Sequence, residues 1–265
     1  MLSHVSVRSL AVLLFTLAPL RAQTPPAAPD APSPIATDRP SFTNSSIVVP
    51  AGSIQAENGF LVTNSQSQNI FDATETSLRI GILSKTELRF AVPDYYHNLT
   101  TGGGPNSGFG DFALGVKQQL GPLPGGFDLS VTAFLSFPTG AAGVSSGGYD
   151  PGLQVAWSRA LSPNWTLAGM LSLYDPTVDQ KRNFTGESTF LLDRQLTKPW
   201  DVFVEYVGDF PERGGTRQLL NFGSSYKLTP QQQLDFHVAV GLTSAAADHL
   251  VGVGYSFRFQ AFHRK

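Results

Sequence analysis

Alternation with a period of two, repeated about a dozen times, is the feature that most limits what this chain can become. In QLDFHVAVGL, Leu234, Phe236, Val238, Val240 and Leu242 alternate with Gln233, Asp235, His237, Ala239 and Gly241. Successive side chains of a strand point to opposite faces, so one face is apolar and the other polar or small. A soluble sheet turns the apolar face to a core. A membrane barrel turns it to lipid and lines a lumen with the polar face. Similar runs fall at 53–62, 74–83, 86–95, 109–119, 127–137, 152–160, 165–174, 185–196, 200–209, 216–228, 232–242 and 249–260, about twelve strands separated by Gly, Pro, Asn and Asp.

The connections decide between the two. Every second one is tight: LSKTEL (83–88), LSPNWTL (161–167), LTKPWDV (196–202) and KLTPQQQL (227–234), with LGPLPGGFDL (120–129) longer but in phase. The others are longer and polar, TNSQSQNIFDA (63–73), HNLTTGGGPNSG (97–108), TGAAGVSSGGYD (139–150), DPTVDQKRN (175–183) and FPERGGT (210–216), apart from the short TSAAAD (243–248). Short turns at one end, longer loops at the other and an even strand count are the layout of an outer-membrane barrel. Strands of about 9–11 residues suit a tilted bilayer crossing. Aromatic residues gather toward the long-loop end (Phe60, Tyr95, Tyr96, Phe109, Phe137, Tyr149, Tyr174) and the short-turn end (Phe127, Trp165, Trp200, Tyr226, Phe259, Phe262), as two headgroup girdles require. The expected fold is all-β, a transmembrane antiparallel up-and-down β-barrel over 53–262, with Leu234 to Leu242 toward lipid and both termini periplasmic.

The rest of the chain fits export. Arg8 precedes the apolar run LAVLLFTLAPL (10–20), too short to span a bilayer and followed by Ala22, so residues 1–22 read as a secretory signal peptide. Residues 23–34, rich in Pro and Ala, read as a linker, and 35–52 as a periplasmic or plug segment. A formal charge of −2 without Lys/Arg clusters gives no reason to expect nucleic acid. The absence of cysteine excludes disulfides, thiolate metal sites and a lipid-modified cysteine.

Two stretches resemble a known family: IATDRPSFTNSSIVVPAGSIQAENGF (35–60), and GFGDFALGVKQQL (108–120) followed by FLSFPTG (134–140) and YDPGLQVAWSRALSPNWTLAG (149–169). In its Thr-Asp-Arg-Pro segment, Gly-Asp-x-x-Leu-Gly-x-Lys strand, Pro-Thr-Gly strand end and following Asp-Pro, the chain is similar to exported barrel transporters of the MetA pathway of phenol degradation. The resemblance implies an outer-membrane barrel passing small, often aromatic, compounds. One departure is the end, where Phe262 is followed by His263, Arg264 and Lys265 instead of closing on an aromatic residue.

Candidate functional residues follow from the polar phase. Arg79, Arg89, Asp111, Lys117, Asp201, Glu205, Arg217, Asp235 and His237 are expected to line the lumen. Unpaired charge in a low-dielectric wall is costly, so they are expected to pair across strands. Their mixed signs predict weak ion preference. Pro40 keeps Arg39 extended, and 35–50 either folds into the mouth, with Asp38 and Arg39 on lumen charges, or only turns the chain into the first strand. Gly143-Val144-Ser145-Ser146-Gly147 matches a nucleophile elbow but lies in a Gly-rich loop with no helix after it. Asp235 and His237 share a strand face, and a lipid-modifying hydrolase would need a serine such as Ser224 or Ser244 beside them. No catalytic, metal or cofactor residue is assigned. The expected function is passive passage of small, apolar or aromatic molecules, with outer-membrane lipid, solutes and the barrel-assembly machinery as partners. The alternatives are a lipid- or ester-acting enzyme and a structural or adhesive barrel with a closed lumen.

Overall fold

The computed structural model describes residues 33–65, 68–99 and 107–262. Residues 1–22, read above as a signal peptide, most of the stretch read as a linker, and residues 263–265 lie outside them. Twelve antiparallel strands follow one another around the wall: β1 (Ser53–Asn64), β2 (Asn69–Leu83), β3 (Thr86–Ala91, resuming as Tyr95–Asn98), β4 (Gly108–Phe109, resuming as Phe112–Gln119), β5 (Phe127–Phe137), β6 (Asp150–Ser162), β7 (Trp165–Tyr174), β8 (Thr185–Thr197), β9 (Trp200–Pro211), β10 (Arg217–Thr229), β11 (Gln232–Gly241) and β12 (His249–Gln260). Each pairs with its neighbours in sequence, and β1 also pairs with β12 from Ser53↔Gln260 to Asn64↔His249. That pairing closes the barrel and, among the described residues, leaves its wall no edge strand, the condition for crossing a membrane with strands.

Burial is inverted relative to a soluble protein. The largest fully buried side chains include Arg79, Lys117, Gln55, Glu57, Glu87 and Glu205, while Leu171, Phe190, Phe222 and Leu242 lie on the exposed face. On β11, Leu234 and Phe236 are 45% and 46% exposed, Asp235 and His237 6% and 5%. The apolar phase therefore faces outward. Trp165, Trp200, Tyr226, Phe259 and Phe262 stand exposed at the short-turn end, and Phe60, Tyr95, Phe109, Tyr149, Phe184 and Phe210 toward the long-loop end. Tyr96 and Tyr174, expected in the girdle, belong to the inward phase instead. Tyr96 follows the outward Tyr95, and the Tyr174 hydroxyl donates to Asp209 at 2.6 Å.

Four short-turn connections are two residues long, each beside a bulge that falls at Ile82, Leu161, Leu196 or Leu228. The first long-loop connection is shorter than the sequence suggested. The ladder continues through Val62↔Phe71 and Asn64↔Asn69, leaving only 65–68 outside strands. Phe60 stacks on Phe71 at 6.1 Å across that hairpin, an apolar pair that holds a segment whose polar residues alone read as loop. Midway along β3, Pro93 has no N–H to give the ladder. There Thr76 N donates to Asp94 Oδ1 and Gly110 N to the Asp94 carbonyl.

Candidate functional site: the lumen and its inner segment

Residues 35–50 run inside the barrel. Ile35 N donates to Pro230 O at the β10–β11 turn. The chain then climbs to mid-barrel, turns around Phe42–Asn44 and descends to Val49, beside β3. Three wall carboxylates hold its backbone. Glu57 accepts from Asp38 N (2.8 Å) and Arg39 N (3.1 Å). Glu87 accepts from Val49 N at 2.6 Å. Glu205 accepts from Phe42 N, Thr43 N, Thr43 Oγ1 and Asn221 Nδ2, all within 3.0 Å. A carboxylate filled by several N–H donors makes strong, directional bonds, so the turn at 42–43 is fixed to β9. On the other wall Asn44 donates to Gln154, and Ser46 bonds Ser158.

Asp38 is the electrostatic centre. It lies 3.4 Å from Arg79, 3.7 Å from Lys117 and in contact with Arg89, and it also accepts from Ser45 N. Arg79 in turn reaches Glu57 (2.8 Å), Glu87 (2.9 Å) and the carbonyls of Ala36 and Ile47. Three cations and three carboxylates thus balance in one buried network. Burial works against a charge on Asp38, yet Arg79, Arg89 and Lys117 hold its carboxyl well below the usual carboxylate range. Arg39 points the other way, to Glu75 at 2.5 Å and Asp235 at 3.5 Å. Its guanidinium fills space that a Cβ on Gly59 or Gly254 would take.

The other lumen candidates stand apart from this network. Asp201 pairs with Lys227 at 2.6 Å near the short turns, and Arg217 pairs with Asp209 near the long loops. Asp111 accepts from Gly140 N and Ser146 N, so Gly143–Gly147 is a loop tied to β4, not an elbow between strand and helix. His237 bonds Asn221 Oδ1 and meets the Phe42 ring edge-on, while Asp235 turns to Arg39. Ser224 accepts from Trp200 Nε1 and donates to Asp201 O, in the outward phase and away from His237. Asp235, His237 and Ser224 do not assemble.

Residues 37–259 match the family described as "Putative MetA-pathway of phenol degradation". The chain belongs to that family. The match begins at Thr37 and so takes in the inner segment of this MetA-pathway barrel together with the wall. Among solved structures, the COG4313 outer membrane channel from Pseudomonas putida F1 is similar at a TM-score of 0.64 and 12% identity, covering 81% of this chain and 98% of that one. The NanC porin (TM-score 0.54, 9% identity, 77% and 98% covered) and the KdgM porin (0.53, 10%, 80% and 99%) share the architecture. At these identities the likeness is one of fold. No curated protein matches the chain by sequence.

Glu57, Glu75, Glu87 and Asn221 were not singled out from the sequence, although a signal was present. Glu57 shares the inward phase with Gln55, and Glu87 with Arg89.

Proposed function

We propose that this barrel is a passive outer-membrane passage for small molecules, apolar or aromatic ones first, and that residues 35–50 close its short-turn half. The observation that carries the reading is a lumen divided into cavities by the inner segment. A space of about 530 Å³ at the long-loop end is bounded by Tyr96, Asp111 and Ser136. One of about 250 Å³ lies against Asn44, between Arg89, Thr132, Phe134 and Gln154. A third, of about 330 Å³, opens at the short turns beneath Ala36–Ser41. Alanines and Phe134 in the middle space suit an apolar solute, as does the family's description. On this reading the termini are periplasmic, the outward apolar face meets outer-membrane lipid and the barrel-assembly machinery inserts the chain.

The test is reversible cross-linking. Thr43 Oγ1 and Thr189 Oγ1 lie 2.6 Å apart and the chain has no cysteine, so Thr43→Cys with Thr189→Cys can tie the segment to β8. Flux of a small aromatic solute into liposomes, and single-channel conductance, should rise on reduction of that pair and in a protein lacking 35–50. Equal flux in all three forms would remove the closing role. Silence from folded barrels in every form would remove the passage itself.

A further inference from the structure

The carboxylates in the long-loop half of the lumen outnumber their cations. Glu75 is paired with Arg39, Asp209 with Arg217 and Asp150 with Arg182. Asp72, Asp94, Asp111 and Glu187 remain, and no cation lies within 4.0 Å of any of them among the described residues. Asp94 accepts from Thr76 N, Asp111 from two loop amides and Glu187 from the Ser172 hydroxyl, so three of the four are positioned by neutral donors that leave their charge uncompensated. Asp72 is different. It is only 8% exposed, and its Oδ1 has no hydrogen-bond partner among the described residues. Its charged surroundings are Asp94, Glu75 and the already committed Arg39. A buried carboxylate oxygen without a donor, set among other carboxylates, is a costly arrangement in a packed wall. It becomes favourable where a mobile positive charge visits.

The placement is not diffuse. Asp72, Asp94, Glu75 and Asp111 all act electrostatically on Tyr96, which bounds the long-loop cavity, while Glu187 on β8 is paired in register with Asp209 of the adjacent β9, which also carries Glu205. The cations of the Asp38 network sit below, each matched by a carboxylate. The Asp38 network is thus balanced, Glu205 at mid-barrel is held by neutral donors and Asp235 shares Arg39 with Glu75, and uncompensated carboxylates are most numerous at the long-loop end.

We propose that the long-loop half of the lumen is a cation-attracting vestibule, which concentrates small positively charged solutes over anions above the inner segment. This deepens the passage reading by naming the charge class admitted, and it replaces the weak preference that mixed lumen charge suggested. Low-dielectric walls of one sign focus the field and raise local counter-ion concentration and encounter rates by about 10- to 1000-fold. No metal coordination is required: among the described residues no three acids or histidines stand close enough to hold one.

The test does not need conduction. In the cysteine-free chain, Ser136→Cys places one thiol in the vestibule, and Ile70→Cys gives a second site if the first variant folds poorly. The folded full chain is reacted at mildly alkaline pH with three methanethiosulfonates, one cationic, one anionic and one neutral. Each rate is divided by that for free cysteine, and the neutral reagent corrects for access and thiol reactivity. The cationic reagent is expected to react at least about tenfold faster than the anionic one. Asp72→Asn with Glu187→Gln removes half of the excess charge, so the ratio should fall to about its square root, roughly threefold. A ratio near one in the parent, or one unmoved by the double neutralisation, overturns the proposal. Labelling happens whether or not the barrel conducts, so a silent bilayer recording would sink the passage reading and leave this one standing.

Discussion

Replacing Asp38 by Asn keeps the shape of the side chain and removes one charge from the balanced network. Arg79 keeps Glu57 and Glu87 at 2.8 and 2.9 Å whether the inner segment is docked or not, because all three belong to the wall. Lys117 does not fare so well. With Asp38 neutral its remaining carboxylate is Glu87, at 4.0 Å, and its Nζ makes no hydrogen bond. Removing one partner of a buried ion pair costs about 3–5 kcal/mol, mostly from the stranded charge. Part of that is recoverable if the segment leaves and water reaches Lys117, so the cost falls on docking and not on barrel closure. At about 1.4 kcal/mol per factor of ten, the undocked population should rise at least about 100-fold. Hydrogen–deuterium exchange of the folded protein reads this directly. Amides of residues 38–49 should exchange about 100-fold faster, while those of β8–β12 stay unchanged. Equal acceleration throughout would mean that Asp38 supports the barrel itself. No acceleration at 38–49 would mean that the network tolerates an unmatched cation, and the reasoning would fail.

Other outcomes follow from the same geometry. The depressed carboxyl of Asp38 contributes docking energy that is fully present above the free value of about 3.8 and lost only as pH falls through the lower docked value. The exchange difference between the parent and Asp38→Asn should therefore persist at about pH 5, and its disappearance there would contradict the assignment. Gly59→Ala should displace the Arg39 guanidinium, separate it from Glu75 and speed exchange around residue 39 with little change in barrel stability, which unfolding in urea will check. Val238→Arg, in the outward phase of β11, should lower folding stability in liposomes by about 2–4 kcal/mol if that position is near the bilayer midplane. A neutral result would argue that this face does not meet lipid.

The strands were legible because lipid outside and a polar lumen inside impose opposite demands on successive residues, and these short elements obey a single period. The exception, 63–73, shows where composition misleads. Thr63, Asn64 and Asn69 look like loop, but the pairing of Val62 with Phe71 carries the ladder on to Asn64↔Asn69 and leaves only the turn outside it. Arg79, Arg89 and Lys117 could be named because a charge in the inward phase is conspicuous, and Asp38 because it stands in the Thr37–Pro40 segment before the first strand. Which charge meets which could not, since Asp38 joins β2, β3 and β4 through a segment with no periodicity of its own. Gly59 and Gly254 were illegible for a different reason. A glycine in a strand has many causes, and theirs becomes visible only once Arg39 is known to lie across them.

The chemistry of the inner segment bears on why a closing element would be built from charge. An apolar plug would be held by its buried area and would expose that area on leaving. A balanced ion-pair network contributes little net stability against its desolvation cost, yet each of its bonds demands one geometry, so it specifies position without binding tightly. The wall supplies Glu57, Glu87, Glu205 and Arg79, whose mutual contacts outlast departure of the segment in part: Arg79 stays with Glu57 and Glu87, and Glu205 stays with Asn221. The backbone ladder that closes the barrel between β1 and β12 contains none of residues 35–50, although the Arg39 guanidinium lies across it at Gly59 and Gly254. Docking of the segment and pairing of the closing strands are thus separate contacts, and the network fixes the segment in register through bonds that each demand one geometry.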